Sequence, residues 1–379
     1  LFRAVYLIFL KIILQIYLSQ NLFNYFFRHF DKLLAKSDEN LCIQIANNKY
    51  KFNYKSQNAK HQPVTLHIYN PIDFCFRIIL DPKIGLGESF MKQDWDAEPS
   101  PKDLLTLMIR AKSKNNVAKL LAITSSFLNQ KTNEHKKSLI VEKIVFWIFQ
   151  AILNTVEGSA TNIHQHYDLG NDMFQKFLDP TMTYSCAIFE QRITELLIYA
   201  KVSSNITEDV TNHFKYTLNS LKLEEGVYDK VIAIEMIEAV GHEFLPQFFN
   251  VISDRLKPDG IAFLQAIVCP DAYYERYRKS SDFIKKYIFP GGHMPSLNGI
   301  EKALPEKILK ITEIEQINRN YAVTLDFWNL AWMEHEQEIL KMGYPLEFHR
   351  KWQFYFALCS SLFEYDHIGT VHIKLQKCI

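Results

Sequence analysis

Glycine is scarce in this chain where an α/β protein would need it. The 12 glycines lie at 85, 87, 158, 170, 226, 241, 260, 291, 292, 299, 343 and 369, and none falls between Gly170 and Gly226. A nucleotide-like ligand is normally held where a strand runs into a glycine-rich turn, because only glycine lets the backbone approach so closely, and that interval offers no such turn. Cysteine is also sparse and dispersed. The six (Cys42, Cys75, Cys186, Cys269, Cys359 and Cys378) form no CxxC pair, which excludes a zinc module or a disulfide scaffold and fits a reducing compartment. Charge of one sign is missing too: 43 basic against 42 acidic residues leave a net charge of +1, without the basic excess of a nucleic-acid binder. Arg3 and Lys11 split the apolar N-terminal run, and Gln15, Ser19 and Asn21 follow, so no uncharged stretch reaches the roughly 18 residues of a spanning helix. Internal repeats and low-complexity tracts are absent.

What is present points to two domains, the prior for 379 residues. Apolar content of 48% with 22% charge describes a soluble globular chain, and 28 Phe with 19 Tyr are a surplus that would suit a long apolar pocket. Residues 1–30 read as an interfacial or core-packed helix rather than a membrane anchor. They lack the small-residue cleavage site of a secretory signal, and a first residue of Leu1 rather than Met places the expected natural start upstream. From Leu41, LCIQIANNKYKFNY and PVTLHIYN read as strands of a small mixed domain. Gly85 and Gly87 punctuate the end of an apolar run as a turn, and Pro99 and Pro101 precede the helical DLLTLMIR. Residues 111–138, polar and lysine-rich, read as a linker whose lysines stay solvated.

The C-terminal half fits a doubly wound sheet. YDKVIAIEMIEAVG carries the β-branched run Val231 to Ile234, expected as a strand buried on both faces. LPQFFNVISDRL is amphipathic, KPDG is expected to turn the chain, and IAFLQAIV reads as a second buried strand. KWQFYFALCSSLFEYDHIGTVHIKLQK closes the chain as helix, then strand.

The densest chemistry lies in residues 162–189, NIHQHYDLGNDMFQKFLDPTMTYSCAIF. HYDLGND and TMTYSCAIF at this separation resemble the opening of the methyltransferase domain in the cyclopropane-fatty-acyl-phospholipid synthase family, which includes the mycolic acid cyclopropane synthases. GLGESFMKQDWD is similar to that family's N-terminal domain, associated with phospholipid handling and dimer contacts, although Trp95 and its acidic neighbours read equally well as a structural turn. YIFPGG within residues 280–297 resembles the family's cap over the lipid channel, with Phe283, Tyr287 and Phe289 available to line it. The resemblance implies an α/β fold: a class I, Rossmann-like methyltransferase domain over 141–379, a linker over 111–140, and a smaller α+β N-terminal domain over 1–110. The sheet is expected to be incomplete, with an internal deletion near 190–196. Glu190 and Tyr228 are only 38 positions apart, whereas three strands with their helices need roughly 30 residues per βαβ unit. ITELLIYAKV resembles the helix after the family's second strand, so the first strand and its glycine turn have no counterpart.

The implied reaction is methylene transfer from S-adenosyl-L-methionine to the cis double bond of an unsaturated phospholipid acyl chain, with bound bicarbonate as the base. A dry slot and a weak base are what a carbocation route requires. The rivals are a non-catalytic lipid-binding remnant and a C-methyltransferase that stops before ring closure. By resemblance Glu238 in EMIEAVGHE holds the bicarbonate, with Glu235 the competing choice; Tyr321 contacts it; and Gln265 stands where bacterial members have histidine. Cys186 contributes through its backbone and packing. Cys359 matches a cysteine often marked as active, although alkyl transfer to an alkene calls for no thiolate and no nearby charge in sequence would depress its pKa. Tyr184 and Ser185 match cofactor contacts, while Tyr167 and Asn171 shape the same wall. Leu196, and Leu218 with Asn219, replace polar cofactor partners. His164 and His166 have no third ligand at metal-site spacing, so no metal is expected. The implied setting is cytoplasmic, peripheral to a membrane surface, with unsaturated phospholipid as partner, no nucleic acid, and homodimer contacts.

Overall fold

A computed structural model describes residues 27–28, 30–34, 37, 39–52, 62–114, 169–189 and 226–378. Residues 1–26 of the expected N-terminal helix, most of the linker, His164, His166, Tyr167 and ITELLIYAKV lie outside the described residues. The chain clusters into two compact units, residues 1–162 with 345–354, and residues 163–344 with 355–379.

In the first unit, β1 (Leu41–Ile45) and β2 (Asn48–Phe52) form an antiparallel hairpin, and β3 (Val64–Ile68) pairs parallel to β1. Val64, Leu66 and Ile68 are buried in alternation, as a strand with one covered face requires. Helices α1 (Pro71–Leu80) and α2 (Gly85–Met91) follow, then β4 (Trp95–Glu98), antiparallel to β3, and α3 (Pro101–Lys114). The expected turn at Gly85 and Gly87 is therefore the first part of a helix. Gly85 is needed for a close approach: a Cβ there would sit 2.0 Å from the Arg77 carbonyl oxygen. Trp95 has no exposed surface, and its indole N–H donates to the Leu86 carbonyl and the Ser89 hydroxyl, both at 3.0 Å. Asp94 beside it accepts from Arg77 and Asn70. Trp95 thus opens a strand, not the structural turn expected of it.

In the second unit, α4 (Asn171–Phe174) precedes β5 (Tyr228–Ile234), and α5 (Leu245–Arg255) leads into β6 (Leu256–Val268). Helices α6 (Asp271–Arg278), α7 (Phe283–Tyr287) and α8 (Leu297–Ala303) follow. Next come β7 (Leu309–Gln316), α9 (Asn318–Glu334), α10 (Glu336–Lys341), α11 (Leu346–Glu364), of which 355–364 belong to this unit, and β8 (Gly369–Lys377). The sheet order is β5-β6-β8-β7, with β5 and β6 parallel and β8 antiparallel to both β6 and β7. Two parallel strands joined through a helix and finished by an antiparallel pair give the Rossmann-like α/β architecture expected of a class I methyltransferase.

The β6–β8 register separates the two faces. Ala262, Leu264 and Ala266 sit opposite Leu375, Ile373 and Val371 and are buried with them, together with Phe248, Phe249 and Ile252 of α5. Gln265 and His372 pair on the other face. Two expectations are corrected. KPDG does not turn the chain before a strand; β6 runs through it with a bulge against β5 and Asp259 at φ +60°. β5 is not buried on both faces: among the described residues it pairs with β6 alone, and Ile232 is 66% exposed.

Candidate active site

The site lies where β5 ends. Ile234 is opposite Gln265 in the parallel ladder, so Glu235 leaves the carboxyl end of β5 beside β6, where ligands of open α/β sheets bind. Glu235 adopts φ +53°, and its N–H donates to the Gln265 carbonyl at 2.8 Å. A non-glycine residue in this left-handed region is uncommon and tends to mark functional sites.

Three side chains converge on its carboxylate. Oε1 accepts from Gln265 Nε2 at 2.7 Å and from the Ser185 hydroxyl at 3.0 Å, and Oε2 accepts from the Tyr321 hydroxyl at 2.9 Å. The backbone N–H of Cys186 adds a fourth donor. Burial raises the Glu235 pKa, while the bonds from Tyr321, Gln265, Ser185 and the Cys186 amide pull it back. Gln265 is itself oriented: its nitrogen faces Glu235 and Ser185, and its oxygen lies 3.1 Å from His372 Nε2.

Glu238 is half-buried one 3₁₀ turn further on, within 237–239. Its Oε1 accepts from the Ile267 amide, and its Oε2 has no hydrogen-bond partner among the described residues. Burial first, and then the charge of Glu235, push its pKa up to about 8. The expectation placed Tyr321 and Gln265 around Glu238; the structure places both on Glu235, the competing choice. The difference is one of register, since Glu235 is adjacent to the strand end that faces Gln265 and Glu238 is folded back toward Ile267.

The walls are aromatic. Tyr321 on α9 is buried, stacked on Phe363 at 4.7 Å between centroids and edge-on to Trp328. Tyr184 stacks on Trp328 at 5.1 Å, meets Phe174 and Phe177 edge-on, and places its hydroxyl 3.2 Å from that of Tyr355. Burial raises the pKa of both phenols well above their ordinary range. Of the three aromatics expected to line a channel, Phe289 reaches this cluster, 6.5 Å from Tyr184 and 6.0 Å from Tyr355, whereas Phe283 is fully buried.

Cys186 contributes its amide to Glu235. Its thiol, like that of buried Cys359, is held neutral by desolvation, so neither has the thiolate character of a nucleophile. Asn171, expected on the cofactor wall, is exposed at the start of α4. Tyr167 lies outside the described residues. His372 and Trp328 were not singled out in sequence; His372 could have been found from the strand pairing, whereas nothing local marks Trp328.

Two groups implied by the resemblance can be tested against these residues. Bicarbonate does not fit: Gln265 and Tyr321, which the resemblance sets around it, both donate to Glu235. For S-adenosyl-L-methionine, Tyr184 and Ser185 stand at the carboxyl end of β5, but the chain has no glycine between 170 and 226 to form the usual turn, so the described residues do not make up a complete cradle.

The family model for mycolic acid cyclopropane synthetase matches residues 155–228 and 207–373. Tuberculostearic acid methyltransferase UfaA1 of Mycobacterium tuberculosis is 26% identical over 400 residues, covering 90% of this chain and 89% of its own. Cyclopropane mycolic acid synthase 1 of the same organism is 24% identical over 278 residues, covering 57% of this chain and 96% of its own. The solved structure of mycolic acid cyclopropane synthase CmaA1 complexed with SAH and CTAB superposes with a TM-score of 0.46 at 22% identity, covering 57% of this chain and 98% of that one. With the matched segments running across more than half of its length, and Glu235, Gln265 and Tyr321 meeting inside them, the chain belongs to the mycolic acid cyclopropane synthetase family, whose members are S-adenosyl-L-methionine-dependent methyltransferases and cyclopropane synthases.

Proposed function

We propose that this chain transfers a one-carbon unit from S-adenosyl-L-methionine to the cis double bond of an unsaturated phospholipid acyl chain at a membrane surface, closing a cyclopropane ring. The observation that carries the reading is a half-buried carboxylate, Glu235, held by four donors and walled by Tyr321, Trp328, Tyr184 and Phe363. Attack of an alkene on an electrophilic methyl leaves a carbocation, which water would trap. An aromatic, desolvated wall excludes water, and ring π-faces favour positive charge nearby. When bound, the donor supplies the electrophilic methyl. Bicarbonate forms no part of this reading. In this reading the chain meets its lipid peripherally, from the cytoplasmic side; no described helix is long and apolar enough to cross a membrane.

The test is to incubate the chain with methyl-labelled donor and vesicles of cis-unsaturated phospholipid, then hydrolyse the lipids and fragment the acyl chains by mass spectrometry. A labelled ring supports the proposal. A labelled methyl branch replaces it with the C-methyltransferase reading, and no label refutes both.

A second reading, a lipid-binding remnant that has lost its donor cradle, is favoured by one set of observations. The match to cyclopropane mycolic acid synthase 1 runs over 278 positions, yet 57% of 379 residues is about 216. The family model also matches as two segments. Both are what an internal deletion between Gly170 and Gly226 would produce. Calorimetry separates the readings: heat with the donor supports the enzyme, and vesicle binding without donor heat supports the remnant.

A further inference from the structure

We propose that Glu235 is this chain's built-in general base, its carboxylate standing where the family resemblance puts a bound bicarbonate. The inference rests on the preceding reading for its substrate, and on the geometry around Glu235 for the rest.

Bicarbonate and a glutamate side chain present the same recognition element, a planar O–C–O edge with negative charge. The donors that would recognise one recognise the other. Here Gln265 Nε2, the Ser185 hydroxyl, the Tyr321 hydroxyl and the Cys186 amide take up both oxygens of Glu235. A second anion would have to displace the carboxylate or lie against it in a desolvated pocket, where like charges strongly disfavour each other.

The backbone is also committed to this placement. Glu235 holds φ +53°, tied through its N–H to the Gln265 carbonyl, and such strain persists where the surroundings over-determine it. Glu238 completes the arrangement. With backbone donors alone and an Oε2 unpartnered among the described residues, it is the poorer site for charge, so Glu235 carries the charge of the pair and Glu238 stays protonated.

The chemistry balances. Once the acyl chain has gained its methyl and become a carbocation, Glu235 removes a proton from that methyl. The electrons of the broken C–H bond form the third side of the ring at the cationic carbon. Glu235 is left as a neutral acid and returns the proton to water after the lipid departs. Only the methyl sulfonium donor and the alkene are consumed.

The deciding experiment titrates ¹³C-bicarbonate into wild type and Glu235→Gly, reading binding by NMR line broadening without any need for turnover. The variant removes the carboxylate and relieves the positive φ. The expected result is that Glu235→Gly binds bicarbonate at least about tenfold more tightly than wild type. Equal binding, or none to either protein, overturns the proposal. If Glu235→Gly does not fold, the isosteric Glu235→Gln serves instead, through the infrared difference spectrum of wild type minus variant. An ionised carboxylate at neutral pH whose titration moves upward after Tyr321→Phe supports the proposal, and a neutral carboxyl insensitive to Tyr321→Phe overturns it. In turnover assays, activity that is unchanged by removing carbonate from the buffer is expected, and activity that requires added bicarbonate overturns the proposal. Inactivity in both buffers sinks the acyl-chain reading and leaves the binding comparison to decide the carboxylate's role.

Discussion

Two desolvated carboxyl groups close enough to feel each other do not both ionise near neutrality, and what divides them is the number of donors each can reach. Glu235 has four, three of them side chains, and Glu238 has two, the backbone amides of Ile267 and of Glu238 itself, so the pKa of about 8 at Glu238 has a consequence for stability. Its folded pKa is raised above the ordinary carboxylate value of 4.5. The folded state therefore holds a proton that the unfolded chain has lost, and stability falls as pH rises through this window. Buried His293, held down to about 4 by burial and then by His242, acts oppositely up to its ordinary 6.5, so Glu238 acts without that opposition between 6.5 and about 8. Glu238→Gln should remove a slope of at most about 1.4 kcal/mol per pH unit. Denaturant midpoints of wild type and variant should diverge in the variant's favour from pH 6.5 to 8, and parallel curves would contradict the assignment. Tyr321→Phe works on the other carboxyl. It leaves Glu235 Oε2 short of a donor and should cost about 1–3 kcal/mol, measured by urea unfolding at neutral pH.

Elements explain which of these residues could be read in advance. The periodicity of VTLHI, the amphipathic LPQFFNVISDR and the final helix and strand were legible, because each buries a face at the spacing its backbone dictates. Tyr321 and Gln265 were recognised from motifs but set around a bicarbonate held by Glu238, and Ser185 was assigned to the cofactor, whereas all three meet at Glu235. Nothing in EMIEAVG states which glutamate faces β6; the pairing of Ile234 with Gln265 decides it. His372 was missed for the same reason, as it enters the site through its register opposite Gln265. GLGESFM was misread because two glycines ordinarily break a helix. In α2 the first of them is held by packing, with no room for a Cβ against the Arg77 carbonyl. Gly85→Ala should force α1 and α2 apart and destabilise the first unit by about 1–3 kcal/mol, read from the unfolding of that unit by tryptophan fluorescence at buried Trp95.

At the scale of the molecule, the open question is what lies beside β5. A strand with the β-branched composition of YDKVIAI belongs in the interior of a sheet, yet among the described residues it pairs with β6 alone, and Ile232 is 66% exposed. The side of β5 away from β6 would carry the family's first strand and glycine turn, and the sequence has no glycine there. Donor affinity and sheet completeness are thus one physical problem. Inserting the corresponding segment of cyclopropane mycolic acid synthase 1 between Glu190 and Leu196 should place a strand on the side of β5 away from β6, protect β5 amides from hydrogen exchange, and tighten S-adenosylhomocysteine binding by at least about tenfold, as followed by calorimetry. Tightened binding without new amide protection would mean that the adenosyl group is held elsewhere. Unchanged binding with new protection would mean that the chain already grips the donor without a glycine turn.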